Sequence, residues 1–503
     1  MVARISTFEF VGIDAREVEV QVHMQQGLPA INIVGLADKA VGESKERIRA
    51  AFHSMGLGLP QKRITVNLSP ADLHKDGSHY DLPIAVAMLV ALDIVPQSEV
   101  DNYFAIGELS LDGSINRVGG GLPAAICANS VQKGLVCPFS IGSEAAWSGN
   151  EKILAPKHLI ELINHFKNQQ VLPHPERKVA NDNVVYPDMR DIKGQKIAKR
   201  ALEVAAAGGH NLLMIGPPGS GKSMLAKRLP GLLPPLSSEE MLEASIIASI
   251  AGKLEGGRII QQRPFRDPHN SASMPAIVGG GKDAKPGEVT LAHNGVLFLD
   301  ELPEFSRNVL ESLRQPIETG TVTISRVNSH ITYPSRFQLI AAMNPCKCGN
   351  FGDLNNSCAK VPRCAQEYQS KISGPLFDRF DIRIDVPAMN IFSLTKESDS
   401  SESSEVIAAR VLSARGLQKE RYKGCAISLN AHADGEVLDA ATLLCEESKD
   451  LLKKAVERFG ISMRGYNRIL RVARTIADLA KVEKIAKVHV AEALSYRITK
   501  LKA

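Results

Sequence analysis

"NLLMIGPPGSGKSMLAKRL", Asn211 to Leu229, sets the reading of the whole chain. A short apolar run, then a turn rich in glycine and proline, then a helical pattern: this is a strand feeding a helix through a tight loop. The loop, Gly216, Pro217, Pro218, Gly219, Ser220, Gly221, Lys222 and Ser223, fits G-x-x-x-x-G-K-[ST]. Its glycines let backbone N–H groups close around phosphate oxygens, and the helix start adds a favourable dipole. Lys222 would reach the β and γ phosphates of ATP, and Ser223 would ligate Mg²⁺. A chance glycine turn is the bland alternative, and the strand before it and helix after it argue against that.

Working outward, "GVLFLDE" (Gly295 to Glu301) places four apolar strand residues before two carboxylates. Asp300 would hold Mg²⁺ through water and Glu301 would polarise an attacking water, because phosphoryl transfer needs a positioned nucleophile more than covalent chemistry. The competing reading is a carboxylate pair capping an exposed helix. "FQLIAAMN" then reads as a buried strand delivering Asn344, and "SGPLFDRFDI" follows. Short buried strands alternating with helices, such as "GQKIAKRALEVAAAGG", point to an α/β fold with a parallel sheet flanked by helices.

Composition sets the bounds. At 503 residues the chain is too long for one core. Its 44 % hydrophobic and 23 % charged residues are ordinary for a globular protein. A net charge of +5 permits a polyanionic partner without demanding one. Spanning a bilayer needs about 18 or more apolar residues in a row, and "LPIAVAMLVALDIV" is shorter and contains Asp93. The first residues carry acids where a signal peptide needs an apolar core, so a cytoplasmic, membrane-free protein with reduced thiols is expected.

The order of motifs resembles the AAA+ superfamily of hexameric ATPases. That resemblance implies that Asn344 (sensor 1) orients the lytic water. It also implies that Arg379, in "DRFD", reaches the γ-phosphate bound by a neighbouring subunit. An intrachain salt bridge to Asp378 or Asp381 is the plain alternative for Arg379. In "SMRGYNRILRVARTIADLA", Arg464 best matches the family's second phosphate-sensing arginine, ahead of Arg468 and Arg471; a basic solvated helix face is the alternative.

Long ordered stretches narrow this to the ComM/YifB family of magnesium-chelatase-like ATPases. They include "GLPAINIVGLADKAVGESKERIRAAF", "KRITVNLSPADLHKDGSHYDLPIA", "RPFRDPHNSASMPAIVGGG", "PGEVTLAHNGVLFLDELPEF" and "ISGPLFDRFDI". The resemblance implies an AAA+ P-loop core of the helix-2-insert clade, a homo-hexamer, and a C-terminal α-helical lid. It further implies ATP-driven DNA work, helicase or branch migration on single-stranded or branched DNA as in natural transformation. Two other readings stand beside it: a magnesium-chelatase-type ATPase that remodels a protein partner for metal insertion, and an ATP-dependent protease. The expected layout is an N-terminal domain over 1–168, a linker over 169–188, the ATPase core over 189–388 with a cysteine loop at 345–364, a connector over 389–430 and the lid over 431–503.

The N-terminal part resembles the α+β Lon protease domain (ribosomal S5 domain 2-like), whose serine nucleophile closes a "PKDGPS" segment. Here "HKDGSHYD" puts His79 at that place, with Ser78 one position early, and Ala124 stands where the lysine partner belongs. A serine hydroxyl without a base is inert. A structural or nucleic-acid-binding collar is expected instead of a peptidase.

Two segments are candidates to face DNA in a central pore: "RPFRDPHNSASMPAIVGGGKDAKPGE" with Lys282, and "GTVTISRVNSHITYPSRFQLI" with Arg326, His330 and Arg336. Contacts of that kind are electrostatic and independent of sequence, and each residue alone reads equally as surface charge. Finally, Cys346, Cys348, Cys358 and Cys364 cluster with spacing C-x-C-x9-C-x5-C. Four thiolates suit a tetrahedral structural Zn²⁺; free thiols and redox chemistry are the alternatives.

Overall fold

The structure, a computed structural model, describes residues 2–178, 186–281, 284–326, 329–349, 362–388 and 402–497. The N-terminal part is built on a seven-stranded mixed sheet. Its strands are β1 (Val2–Val11), β2 (Asp14–Gln25), β3 (Ala30–Val34), β4 (Arg63–Ser69), β5 (Tyr103–Ala105), β6 (Gly134–Val136) and β7 (Ile153–Leu154), in the order β3-β4-β2-β1-β5-β6-β7. Alternation along β4 buries Ile64, Val66 and Leu68 on one face, as a half-buried strand requires. Helix α1 (Lys39–Ser54) starts at Asp38, whose carboxylate accepts the Val41 N–H at 2.7 Å, and buries Val41, Ile48, Ala51 and Phe52. Helix α2 (Asp81–Ala91) is buried along nearly its whole length beneath β1 and β2, which explains why it is apolar on every side.

The second body carries a five-stranded parallel sheet. Its strands are β8 (Leu212–Ile215), β9 (Phe265–Arg266), β10 (Val296–Leu299), β13 (Gln338–Met343) and β14 (Ile382–Asp385), in the order β9-β10-β13-β8-β14. Every residue of β8, β10 and β13 is buried, the signature of interior parallel strands covered on both faces. A separate antiparallel hairpin, β11 (Thr321–Arg326) with β12 (Ser329–Pro334), precedes β13. This order brings the C-terminal ends of β8, β10 and β13 together at one edge, where open α/β sheets place their ligands.

The stretch expected as a connector over 389–430 contains an 18-residue helix, Ser404–Arg421. It packs on the helix Lys196–Gly208 and buries Ile407, Val411, Ala414 and Gln418, whose amide donates to the Ala207 carbonyl at 2.9 Å. Helical structure therefore begins well before Ala431. The composition of "KESDSSESSEV" hid this, because serine at 403 serves as an N-cap, its hydroxyl accepting the Val406 N–H. Behind it, Asp478 is buried on the helix Met463–Leu479 and accepts hydrogen bonds from Arg421, Arg474 and Asn430. Among the described residues, no helix is long and apolar enough to cross a membrane.

The two bodies touch at a defined seam. The Gly120 N–H donates to the Ser249 carbonyl at 3.0 Å, and Leu122 N–H donates to Ser249 Oγ at 3.3 Å. Ser249 Oγ in turn donates to the buried carboxylate of Glu144, and Arg117 donates to the Leu254 carbonyl at 2.8 Å.

Candidate active site

Lys222 opens the short helix after the glycine loop and is only 7 % exposed. Its ammonium donates to the carbonyls of Gly216 and Pro217, both at 2.8 Å, to Ser220 Oγ at 3.3 Å and to Asn344 Oδ1 at 3.3 Å. Burial pulls this ammonium below the ordinary lysine value, while Asp300 and Glu301 pull it back up. Gly219 and Gly221 sit at φ +74° and +89°, in the left-handed region that favours glycine, and a side chain there would enter open space. The loop is thus a cradle with amides at its rim and a cation at its floor, and it fits a polyphosphate.

The carboxylates close the other side. Ser223 Oγ donates to Asp300 Oδ2 at 2.6 Å, so the two groups expected to share Mg²⁺ already face each other. A hydroxyl and a carboxylate are hard oxygen donors, the set Mg²⁺ takes beside phosphate oxygens and water. Glu301 stands at φ +52°, held by its own N–H donating to Asp300 Oδ1 at 2.9 Å. Its carboxylate accepts a hydrogen bond from Asn270 Nδ2 at 2.8 Å.

Asn270 was not singled out from the sequence. It lies in "RDPHN", a polar run in the segment between the two phosphate motifs, and nothing local marks it. Only the pairing of β9 alongside β10 brings it to Glu301. Asn211 was missed for the same reason. It joins three strand ends: its N–H donates to Asp381 Oδ2 at 3.3 Å, its Nδ2 to the Arg379 carbonyl at 3.2 Å, and its Oδ1 accepts the Leu339 N–H at 2.8 Å.

The arginines divide. Arg379 is nearly buried and its guanidinium pairs with Glu318, which corrects the partners weighed from sequence, Asp378 and Asp381. Glu318 lies 61 positions upstream, beyond any local pattern. Arg379 Nη1 also donates to the Pro375 carbonyl at 2.5 Å. Arg464 is exposed on the first turn of Met463–Leu479. Arg468 lies 3.7 Å from Asp381, and Arg471 pairs with Asp434 at 3.2 Å.

Of the residues expected to meet DNA, Arg336 pairs with Glu243 at 3.2 Å and is 60 % exposed. His330 lies on β12, its backbone opposite Ser325, and is exposed. Arg326 ends β11, with its side chain outside the described set, and Lys282 falls outside the described residues altogether.

The sulfurs of Cys346, Cys348 and Cys364 lie within 4.8 Å of one another, a spacing compatible with shared thiolate coordination. Cys358 lies outside the described residues. The turn at Gly349, φ +81°, packs so tightly on Pro218 that a Cβ there would meet the proline ring at 2.6 Å. The thiol cluster therefore abuts the phosphate loop itself.

In the N-terminal body, Ser78 Oγ donates to Glu108 and His79 Nε2 lies 2.8 Å from the Phe8 carbonyl. Lys75 is buried with its ammonium on the Pro70 carbonyl. Ala124 is buried in the helix Gly121–Ser130.

Asn270→Ala removes the side-chain hydrogen bond that Asn270 donates to Glu301. The expected outcome is a drop in the rate of nucleotide hydrolysis of about tenfold with unchanged nucleotide affinity, as for loss of an interaction used in turnover alone. An unchanged rate in steady-state kinetics, or a loss confined to KM, would contradict this role.

Comparison with known proteins matches the same regions. Family models described as "Subunit ChlI of Mg-chelatase", "Magnesium chelatase, subunit ChlI" and "Magnesium chelatase, subunit ChlI C-terminal" match residues 20–141, 188–394 and 401–497 respectively. The chain is 42 % identical over 492 residues to the competence protein ComM of Haemophilus influenzae, covering 97 % of this chain and 96 % of that protein. It is 41 % identical over 495 residues to an uncharacterized protein, YifB, of Salmonella typhimurium, covering 98 % and 97 %. The magnesium-chelatase 38 kDa subunit of Rhodobacter capsulatus is 28 % identical over 188 residues, covering only 34 % of this chain and 53 % of that one. On these matches, with its mixed α/β architecture and parallel sheet, the chain belongs to the ComM/YifB family of magnesium-chelatase-like AAA+ proteins.

Proposed function

We propose that the protein is an ATP-driven, homo-hexameric DNA motor of the cytoplasm, working on single-stranded or branched DNA as a helicase or branch-migration enzyme. The observation that carries the catalytic half is the convergence of Lys222, Ser223, Asp300, Glu301 and Asn344 from three parallel strand ends. Lys222 and the loop amides hold the phosphates. Ser223 and Asp300 would hold Mg²⁺, which would supply positive charge against the charge that develops on the transferred phosphoryl group. Glu301 takes the proton of the attacking water and Asn344 orients it. Arg379 serves the site of the next subunit after leaving Glu318, and Arg464 senses phosphate from the helical lid.

The DNA half rests on the full-length likeness to a protein named for competence. In this reading the segment after Arg263 is the helix-2 insertion, the β11–β12 hairpin approaches the DNA, and residues 431–503 act as the lid. Residues 1–168 form a Lon-like collar without peptidase chemistry, since Ser78 faces a carboxylate and no lysine occupies position 124. Cys346, Cys348 and Cys364, with Cys358, hold a structural Zn²⁺ that stiffens the loop against Pro218. The magnesium-chelatase match favours a second reading, an ATPase subunit that remodels a protein partner for metal insertion. The limited span of the chelatase relative makes it the weaker one.

The two readings part on one measurement. ATP turnover is expected to rise several-fold with single-stranded or branched DNA at low salt, and to lose that stimulation as salt displaces phosphate contacts. Turnover indifferent to DNA at every salt concentration would overturn the motor reading. Metal analysis of protein purified under reducing, chelator-free conditions is expected to find stoichiometric zinc. Its absence would remove the metal from the account.

A further inference from the structure

The seven-stranded sheet of the N-terminal body leaves one edge open. β3 ends the sheet and pairs, in parallel, with β4 alone among the described residues. Along such a strand every second residue turns its N–H and C=O away from the neighbour, so backbone donors and acceptors face outward. Sheets ordinarily guard an edge of this kind with charge, proline or brevity. The opposite edge follows that rule, since β7 is two residues long and buried. β3, "AINIV", holds neither charge nor proline. Apolar side chains stand exposed around it: Leu28 is 88 % and Val34 47 % exposed.

A groove opens beside the start of this strand. It has a volume of about 270 Å³ and lies between the first residues of β3, the last turns of α1 and the loop that leads into β4. Its floor is apolar, made by Ile31, Leu57, Leu59 and Ile64, all part of or packed on the core of the N-terminal body. Its rim is basic. Arg49 and His53 stand four residues apart on one face of α1, and Lys62 faces them from the loop. No acidic side chain lines the groove. Arg49 meets Glu46 at 3.4 Å with both side chains half in solvent, a pair worth little. His53 and Lys62 make no ion pair among the described residues.

These properties select a class of occupant. An open strand edge takes an extended chain, and pockets beside it read alternate side chains. The apolar floor calls for an apolar side chain, and the rim calls for carboxylates. Nucleic acid fits less well, because it binds through continuous phosphate contact and base stacking, and the lining holds no Phe, Tyr or Trp. A second copy also fits less well: with a net charge of +5, this chain has no general excess of acid to offer.

We propose that this corner docks an extended acidic segment of a different protein. The segment's backbone adds a strand to β3, an apolar side chain enters the groove over Ile31 and Ile64, and flanking carboxylates meet Arg49, His53 and Lys62. No residue of the ATPase body lines the groove, so the site stands apart from nucleotide hydrolysis and goes beyond the function proposed above.

The test uses the full chain and a fluorescein-labelled peptide of alternating valine and leucine flanked by aspartates. Gly58 lies in the lining, and a Cβ there would meet nothing within 4 Å, so Gly58→Phe fills the groove without entering the core. Fluorescence anisotropy is expected to show saturable binding at low salt. Affinity should fall about tenfold or more in Lys62→Glu and in Gly58→Phe, with unfolding midpoints like that of the wild type. A peptide carrying lysines in place of the aspartates should not bind. No saturable binding to the wild type, equal binding to both variants, or equal binding of the lysine peptide would overturn the proposal. Displacement of the probe by single-stranded DNA and not by unlabelled peptide would overturn it in favour of nucleic acid. A smaller assembly in sedimentation velocity for Gly58→Phe than for the wild type would overturn it in favour of a second copy. Lys62→Glu, at an exposed loop position, decides the matter should Gly58→Phe not fold.

Discussion

A buried ammonium organises this molecule. Lys222 is almost out of solvent, and a lone charge so placed would cost several kcal/mol. The chain meets that cost by gathering two loop carbonyls, a serine hydroxyl and the Asn344 amide around one nitrogen. Asn344 can attend only because β13 lies directly beside β8 in register, Met343 opposite Ile215. The Ser223–Asp300 hydrogen bond imposes the same demand on β10. Sheet order, loop shape and the positions of the catalytic candidates are thus consequences of one constraint, and phosphate oxygens are the natural replacement for the carbonyls that now hold the ammonium.

Much of that arrangement was legible in the sequence. The glycine loop, the acidic pair after "VLFL" and the all-buried "QLIAAM" strand each carry a local pattern with a physical reason. What escaped were contacts between residues far apart in the chain. Asn270 meets Glu301 only through strand pairing, Glu318 meets Arg379 across 61 positions, and Arg336 is met by Glu243. The helix Ser404–Arg421 escaped for another reason: its serine- and glutamate-rich start resembles a solvated linker, although Ile407, Val411, Ala414 and Gln418 recur at helical spacing behind it.

The two bodies are coupled where function would need it. Ser249, at the end of the helix Ser238–Ile250, is gripped by Glu144 and by the Gly120 and Leu122 amides, and the chain then runs on to Asn270. On the other side, the β1–β2 turn approaches the hairpin so closely that a Cβ at Gly12 would lie 2.8 Å from the Thr332 carbonyl. The N-terminal body therefore bears on both elements that flank the acidic pair in sequence. The cysteine turn, seated on Pro218, bears on the phosphate loop from a third direction.

The central claim, that this site converts nucleotide hydrolysis into movement of DNA strands, is tested most directly by following a fluorescently labelled three-strand junction in real time. With ATP and Mg²⁺, the purified protein should drive the branch point to the end of the duplex, and a non-hydrolysable ATP analogue should support binding without movement. A junction that stays where it was while ATP is being consumed would contradict the account.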